Sequence, residues 1–129
     1  MKKMLLIALL FLAACAPLLA RPLIVYNATT TQITDAIVTI ANRTGPEGGY
    51  ANWTVTGIGE TFVSLRAGPD VWGKLVHNPG PLTMVWTVNQ RAGGVAVAAD
   101  SGGFSDPRQT EQVFFDALDS QFQHRQLTP

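Results

Sequence analysis

Few residues in this sequence can carry covalent or acid–base chemistry. Its only cysteine is Cys15, which excludes a framework of internal disulfide bonds. Charged residues make up only 14% of the 129 residues and their formal net charge is zero, so the basic surface of a nucleic-acid-binding protein is not expected. With 47% hydrophobic residues, the chain is too apolar for intrinsic disorder. These values predict one folded domain without a nucleic-acid partner.

Residues for catalysis or metal binding are equally scarce. The two histidines, His77 and His124, are far apart, and neither has a second ligand at metal-binding spacing. The nucleophile motif G-x-S-x-G is absent, and the serine in 100–103 is interpreted as part of a hinge before the last helix. Asp116 and Asp119 share one face of that helix, as expected for a solvated surface. The sequence therefore predicts no metal site, no cofactor and no enzymatic activity.

The N-terminal region carries the features of an export signal. Lys2 and Lys3 precede an unbroken apolar run from Met4 to Leu12, and small residues follow this run. A short positive segment, an apolar segment and small residues at a cleavage site are the parts of a secretory signal peptide. Residues 1–14 are therefore predicted to be removed on export.

The residues at the predicted cleavage site resemble the lipobox of bacterial lipoproteins. Leu12-Ala13-Ala14-Cys15 stands directly after the apolar run. The resemblance implies cleavage between Ala14 and Cys15, and a thioether-linked diacylglycerol on Cys15 with acyl chains such as palmitate. Two or three acyl chains anchor a protein firmly to a membrane, whereas one chain does so only marginally. Ala16 after the cysteine, rather than aspartate, implies the outer membrane in a cell that has two membranes.

Two other interpretations of the N-terminus stay open. The segment from Met4 to Ala20 has no charged residue and is near the lower limit of length for a membrane-spanning helix. Alternatively, the signal peptide is cut after Ala20 and Cys15 keeps an ordinary thiol. Three Asn-x-Thr glycosylation motifs are also present, and they are interpreted as chance matches in a threonine-rich chain.

Residues 22–129 are predicted to form a single α+β domain, which a tether over residues 15–21 joins to the anchor. Thr29 and Gln32 have the spacing of a capping box and begin a helix whose apolar residues recur at helical intervals. Apolar runs or alternating patterns predict strands at 23–26, 52–56, 61–67, 82–89 and 95–99. The segment 71–77 stays open between a short strand and an irregular loop.

Asp106 and Pro107 begin a last amphipathic helix. Its predicted inner face consists of Phe114, Ala117, Leu118 and Phe122, and its outer face continues to Arg125. The expected architecture is a two-layer α+β domain, with an antiparallel sheet of four to five strands and the N-terminal and C-terminal helices packed on one face. This layout resembles small bacterial envelope lipoproteins with no assigned activity.

Two functions are compatible with these features. The first is a non-enzymatic, membrane-anchored envelope protein that serves as a structural or protein-binding module. Trp72 lies in the uncertain segment and is its candidate contact with an envelope partner or a membrane surface. The alternative is a module that binds a lipid or small hydrophobic ligand between sheet and helices, since the layout is similar to the helix-grip folds. Its pocket would be lined by Met84, Trp86 and Phe114.

Overall fold

The computed structural model describes residues 23–46, 48–76, 80–104 and 106–127. The helices and strands follow one another as β1 (Leu23–Tyr26), α1 (Thr30–Arg43), β2 (Thr54–Ile58), β3 (Phe62–Ala67), α2 (Val71–Val76), β4 (Leu82–Arg91), β5 (Gly94–Gly102), α3 (Pro107–Gln121) and β6 (His124–Leu127). Within these residues the strands form one antiparallel sheet in the order β2-β3-β4-β5-β1-β6. The predicted α+β class is confirmed.

Helix α1 begins at the predicted capping box. The Thr29 hydroxyl accepts a hydrogen bond from the backbone N–H of Gln32 at 3.1 Å, and the Gln32 side chain accepts one from the N–H of Thr29 at 2.9 Å. These two bonds satisfy donors that the first helical turn leaves unpaired. Ile33 and Ile37 are fully buried on the apolar face of the helix. The helix is therefore fixed locally by its cap and globally by its apolar face.

Strands β4 and β5 form the central hairpin of the sheet. Burial alternates along β4, where Leu82, Met84, Trp86 and Val88 are buried and the residues between them are exposed. The turn of the hairpin requires glycine, because Gly93 has a φ of 82° and Gly94 a φ of 153°. A Cβ at position 94 would also overlap the carbonyl oxygen of Tyr26 on the neighbouring strand.

The core lies between the helices and one face of the sheet. Helices α1 and α3 contact each other and cover the same side of the central strands, as predicted. The residues that close this layer are apolar: Ile24, Tyr26, Ile33, Ile37, Val63, Leu65, Leu82, Met84, Trp86, Val88, Val95, Val97, Phe114, Phe115 and Leu118. The other face carries exposed residues such as Thr83 and Thr87 on its central strand, so the two faces differ in polarity as expected for an antiparallel sheet open on one side.

The C-terminal segment differs from the prediction. Helix α3 ends at Gln121 rather than continuing to Arg125, and Phe122 has extended backbone angles. Residues His124–Leu127 then form β6, which pairs with β1 along its whole length. Without β6, β1 would be an edge strand with unpaired N–H and C=O groups. The sheet consequently has six strands in the described residues, more than the four to five predicted.

The segment that the sequence leaves open between strand and loop is a helix. Residues Val71–Val76 form the six-residue helix α2. Asp70 precedes it as an N-cap, since its carboxylate accepts the N–H of Gly73 at 2.7 Å and its carbonyl accepts the N–H of Lys74 at 3.0 Å. A short apolar run carries too little periodicity to distinguish a helix from a strand, which explains why the sequence pattern does not resolve this segment.

Candidate functional site

Helix α2 exposes large apolar side chains to solvent. Val71, Trp72, Leu75 and Val76 are each between 70% and 74% exposed. We call these four residues the α2 patch. Scattered exposed apolar residues are ordinary, but several on one short element indicate a surface that contacts something else. The patch contains Trp72, the residue that the sequence singles out as a candidate contact.

The side chains of the α2 patch lie on one side of the helix. At 100° per residue, the four apolar positions fall within an arc of about 140°. Lys74 lies about 60° beyond Val71 and Gly73 about 60° beyond Val76, so these two residues flank the arc on its two sides. Gly73 is the one residue of the helix that is buried. The helix therefore packs against the domain through Gly73 and exposes its apolar side chains to solvent.

The backbone around α2 holds this orientation. The Asp70 N–H donates to the carbonyl of Gly49 at 3.0 Å, and a Cβ at Gly73 would overlap that same carbonyl oxygen. The backbone of residues 50–51 also pairs with that of residues 68–69, through one hydrogen bond of 2.9 Å and one isolated antiparallel bridge. A six-residue helix is not stable by itself. Here the contacts with residues 49–51 fix it, while its large side chains stay exposed.

A second cluster joins β1, α3 and β6. The buried Tyr26 hydroxyl donates to Oδ1 of Asp119 at 2.7 Å, and Nε2 of His124 lies 3.8 Å from the same oxygen. The Tyr26 ring also lies 5.8 Å from the ring of His124 and 6.5 Å from that of Phe122. Asp119, predicted on a solvated face of the helix, is 29% exposed and also accepts this bond from the buried Tyr26. The cluster connects three elements and explains how the C-terminus is fastened.

This Tyr26 cluster could not have been found from the sequence. Tyr26 and Asp119 are 93 positions apart, and only the pairing of β6 with β1 brings His124 opposite Tyr26. A histidine beside a carboxylate is a common part of catalytic sites. Here the other ring nitrogen of His124, Nδ1, lies 3.2 Å from the carbonyl oxygen of Phe122.

The aromatic residues predicted to line a ligand pocket contact one another. The Trp86 ring lies 5.2 Å from Phe114 and 5.1 Å from Phe115, and Trp53 lies 6.4 Å from Phe114. Met84, Trp86 and Phe114 are all buried. Trp53 and Trp86 both belong to the hydrophobic core. Both indole N–H groups are buried and have no hydrogen-bond partner among the described residues, which is unusual for a donor in a protein core.

Three concavities bordered by described residues lie outside this aromatic cluster. One surrounds the end of α3 from Asp119 to His124. The other two are each bordered by Val25 of β1 and Arg125 of β6. They are open to solvent, and none of them is bordered by the residues predicted to line the ligand pocket.

The remaining candidate residues lie elsewhere or outside the described chain. Ser101 belongs to β5 rather than to a hinge, and its hydroxyl donates to a carboxylate oxygen of Glu111 at 2.8 Å. No group of three potential metal ligands is found in the parts of the chain that the structure describes. Ala14 and Cys15, the tether 15–21 and His77 lie outside the described residues. Among the described segments, no helix is both long and apolar enough to cross a membrane.

No known protein family, curated protein or solved structure matches the chain significantly. The site must therefore be interpreted from its own residues. Of the two clusters, the Tyr26 cluster is half-buried and accounts for the attachment of β6. The α2 patch has no such structural explanation, because its side chains contribute nothing to the core.

Proposed function

We propose that the protein is a lipid-anchored protein of the bacterial envelope, without enzymatic activity, whose domain serves as a structural or protein-binding module. The observation that carries this proposal is the sequence Leu12-Ala13-Ala14-Cys15 directly after the positive and apolar segments of a signal peptide. Mature protein would begin at Cys15, and its lipid chains would hold it at a membrane, the outer one where the cell has two.

The fold is compatible with such an anchor. The described domain begins at Leu23 with β1, so residues 16–22 separate it from the lipidated residue. The helices and the sheet bury their own apolar faces against each other. A domain of this kind does not need the membrane for its core, and the lipid would act as a tether rather than as part of the fold.

The mass of the intact protein tests this proposal. Full-length protein is expressed in a bacterium, purified from the membrane fraction and compared with Cys15→Ser. The native mass should equal residues 15–129 plus the lipid groups, and the variant should keep its signal peptide. Cleavage after Ala20, or an uncleaved chain without lipid, would overturn the proposal. Because Cys15 is the only cysteine, any thioether-linked lipid is assigned to it directly.

The alternative function, binding of a hydrophobic ligand, has one observation in its favour. The unpaired indole N–H groups of Trp53 and Trp86 are donors that a ligand could satisfy. The contacts of both rings with Phe114 weigh against it, since they occupy the predicted pocket. Native mass spectrometry of the purified protein tests this alternative, which requires a co-purifying small molecule that denaturation releases.

A further inference from the structure

We propose that helix α2 lies in the interface of the lipid bilayer to which the protein is anchored, an inference that rests on the proposed lipid at Cys15. The α2 patch presents four apolar side chains on one side of a helix that buries only its glycine. Trp is enriched where a protein meets the membrane interface, because its ring is apolar and its N–H is polar. The exposed Lys74, which lies beside the patch, has a long side chain that can extend its ammonium group to anionic headgroups.

The sheet topology places this helix towards the anchored end of the domain. Strand β1 runs antiparallel to β5, so Leu23, the first described residue, is the end of β1 that is nearer to Gly102. Gly102 is paired with Thr83 at the start of β4, next to the end of β3. The connection between β3 and β4 contains α2. The start of β1 and the connection that contains α2 therefore lie towards the same end of the sheet.

The tether is long enough to bring the lipid to the end of the sheet at which β4 begins. Continuing the register of β1, Leu23 is level with Ala98 and Thr87, five residues from Leu82 at the start of β4. This offset corresponds to about 17 Å along the strands, and β1 lies about 10 Å from β4 across the sheet. The eight Cα–Cα steps from Cys15 to Leu23 can span at most about 26–29 Å. The lipid on Cys15 can therefore reach the end of the sheet at which β4 begins, directly after the connection that contains α2.

Because α2 is short, it can orient the domain on the membrane but cannot anchor it. A six-residue helix offers too little apolar surface to hold a protein on a membrane alone, and stable anchoring takes two signals. With the lipid already inserted, contact of the α2 patch becomes an event within one molecule at high effective concentration. The lipid would then supply the attachment, and α2 would fix the orientation of the domain on the bilayer.

The tryptophans allow a direct test. Trp53 and Trp86 are buried, whereas Trp72 is exposed, so quenchers from water or from lipid report mainly on Trp72. Full-length protein from membranes is reconstituted into vesicles of phosphatidylcholine and phosphatidylglycerol, with or without brominated acyl chains. We expect brominated lipid to quench the Trp72 emission and aqueous acrylamide to leave it largely unquenched. Trp72→Phe should remove the response to brominated lipid.

A pair of variants separates the α2 patch from other exposed apolar residues. Leu75→Glu places a carboxylate within the patch, and Val113→Glu places one on α3, where Val113 is also exposed. Leu75→Glu should abolish quenching of Trp72 by brominated lipid, and Val113→Glu should retain it. Equal quenching in both variants would overturn the inference. Circular dichroism checks that both variants are folded.

The remaining outcomes distinguish this inference from the proposed function. If the intact mass shows lipid on Cys15 but acrylamide quenches Trp72 on vesicles, the anchor stands and the inference is overturned. If neither quencher reaches Trp72, polypeptide covers the patch, whether the N-terminal segment, a second copy or a protein partner, and the inference is again overturned. A mass without lipid overturns the anchor and the inference together.

Discussion

Trp86 and Trp72 show how differently one residue type is used in two regions of this molecule. Trp86 is fully buried and contacts the rings of Phe114 and Phe115 at 5.2 and 5.1 Å. Trp72 is 73% exposed on a six-residue helix. The stability of the fold accounts for the first tryptophan. It does not account for the second, so the α2 patch is the part of the surface whose composition indicates a contact outside the domain.

The two regions are also held in place by different forces. The core depends on side chains that α1, α3 and the sheet bury together. Helix α2 depends on its backbone, through the Asp70 cap and the close approach of Gly73 to Gly49. Substitutions of large side chains should therefore be costly in the core and nearly neutral in α2. The largest difference in the free energy of unfolding is expected between a variant at a fully buried position and one at an exposed position.

The largest effect is expected in the aromatic core. Phe114→Ala removes a ring that contacts both Trp53 and Trp86, and it should lower the free energy of unfolding by about 3–5 kcal/mol. Urea unfolding measures this change. The neighbouring Val113 is exposed, and Val113→Ala should change the free energy by about 0.5 kcal/mol or less. Similar costs for the two variants would show that α3 does not cover the core with this face.

The core was predictable from the sequence because it follows local periodicity. Ile33 and Ile37 recur at helical spacing, and Met84 and Trp86 alternate with exposed residues. The cap of α1 was predictable for the same reason, since its two partners are three positions apart. Features that depend on residues close together in the sequence can be predicted without knowledge of the contacts between distant segments.

The features that were missed depend on contacts between distant segments. Strand β6 forms because β1 offers it a free edge, although Gln123 to Arg125 could also extend a helix. The orientation of α2 follows from its contacts with residues 49–51, which no pattern within 71–77 reveals. The sequence identified Trp72 as a candidate contact, but not the three apolar residues that accompany it.

The next largest effect concerns a polar contact beside the core. Tyr26→Phe removes the hydrogen bond from the buried hydroxyl to Asp119 and should lower the free energy of unfolding by about 1.5–3 kcal/mol, as for bonds to charged groups. Tyr50→Phe is the matched control, since its hydroxyl makes a long, exposed bond of 3.4 Å to Gly80. If the two variants are equally stable, the Tyr26 cluster does not fasten the C-terminus.

A smaller effect is expected from the cap of α2. Asp70→Ala removes the acceptor of the Gly73 N–H, and loss of such a cap costs about 0.5–2 kcal/mol. Because α2 contributes little to the core, the loss should appear mainly as faster hydrogen exchange at the amides of Gly73 and Lys74. Asp70→Asn retains a capping oxygen and should exchange nearly as slowly as the native protein. Unchanged exchange in Asp70→Ala would mean that the contacts with residues 49–51 suffice.

The smallest effect on stability is expected for Trp72, and it tests whether the α2 patch differs from the core as the comparison with Trp86 indicates. Trp72→Ala should change the free energy of unfolding by about 0.5 kcal/mol or less, because the exposed ring contributes no core contact. Trp53→Ala, at a buried ring, should cost about 3–5 kcal/mol in the same urea titration. A large loss in Trp72→Ala would mean that the α2 patch packs against this chain itself. An unchanged free energy of unfolding would show that Trp72 does not stabilise the fold. Its exposed position would then be explained by a contact outside the domain.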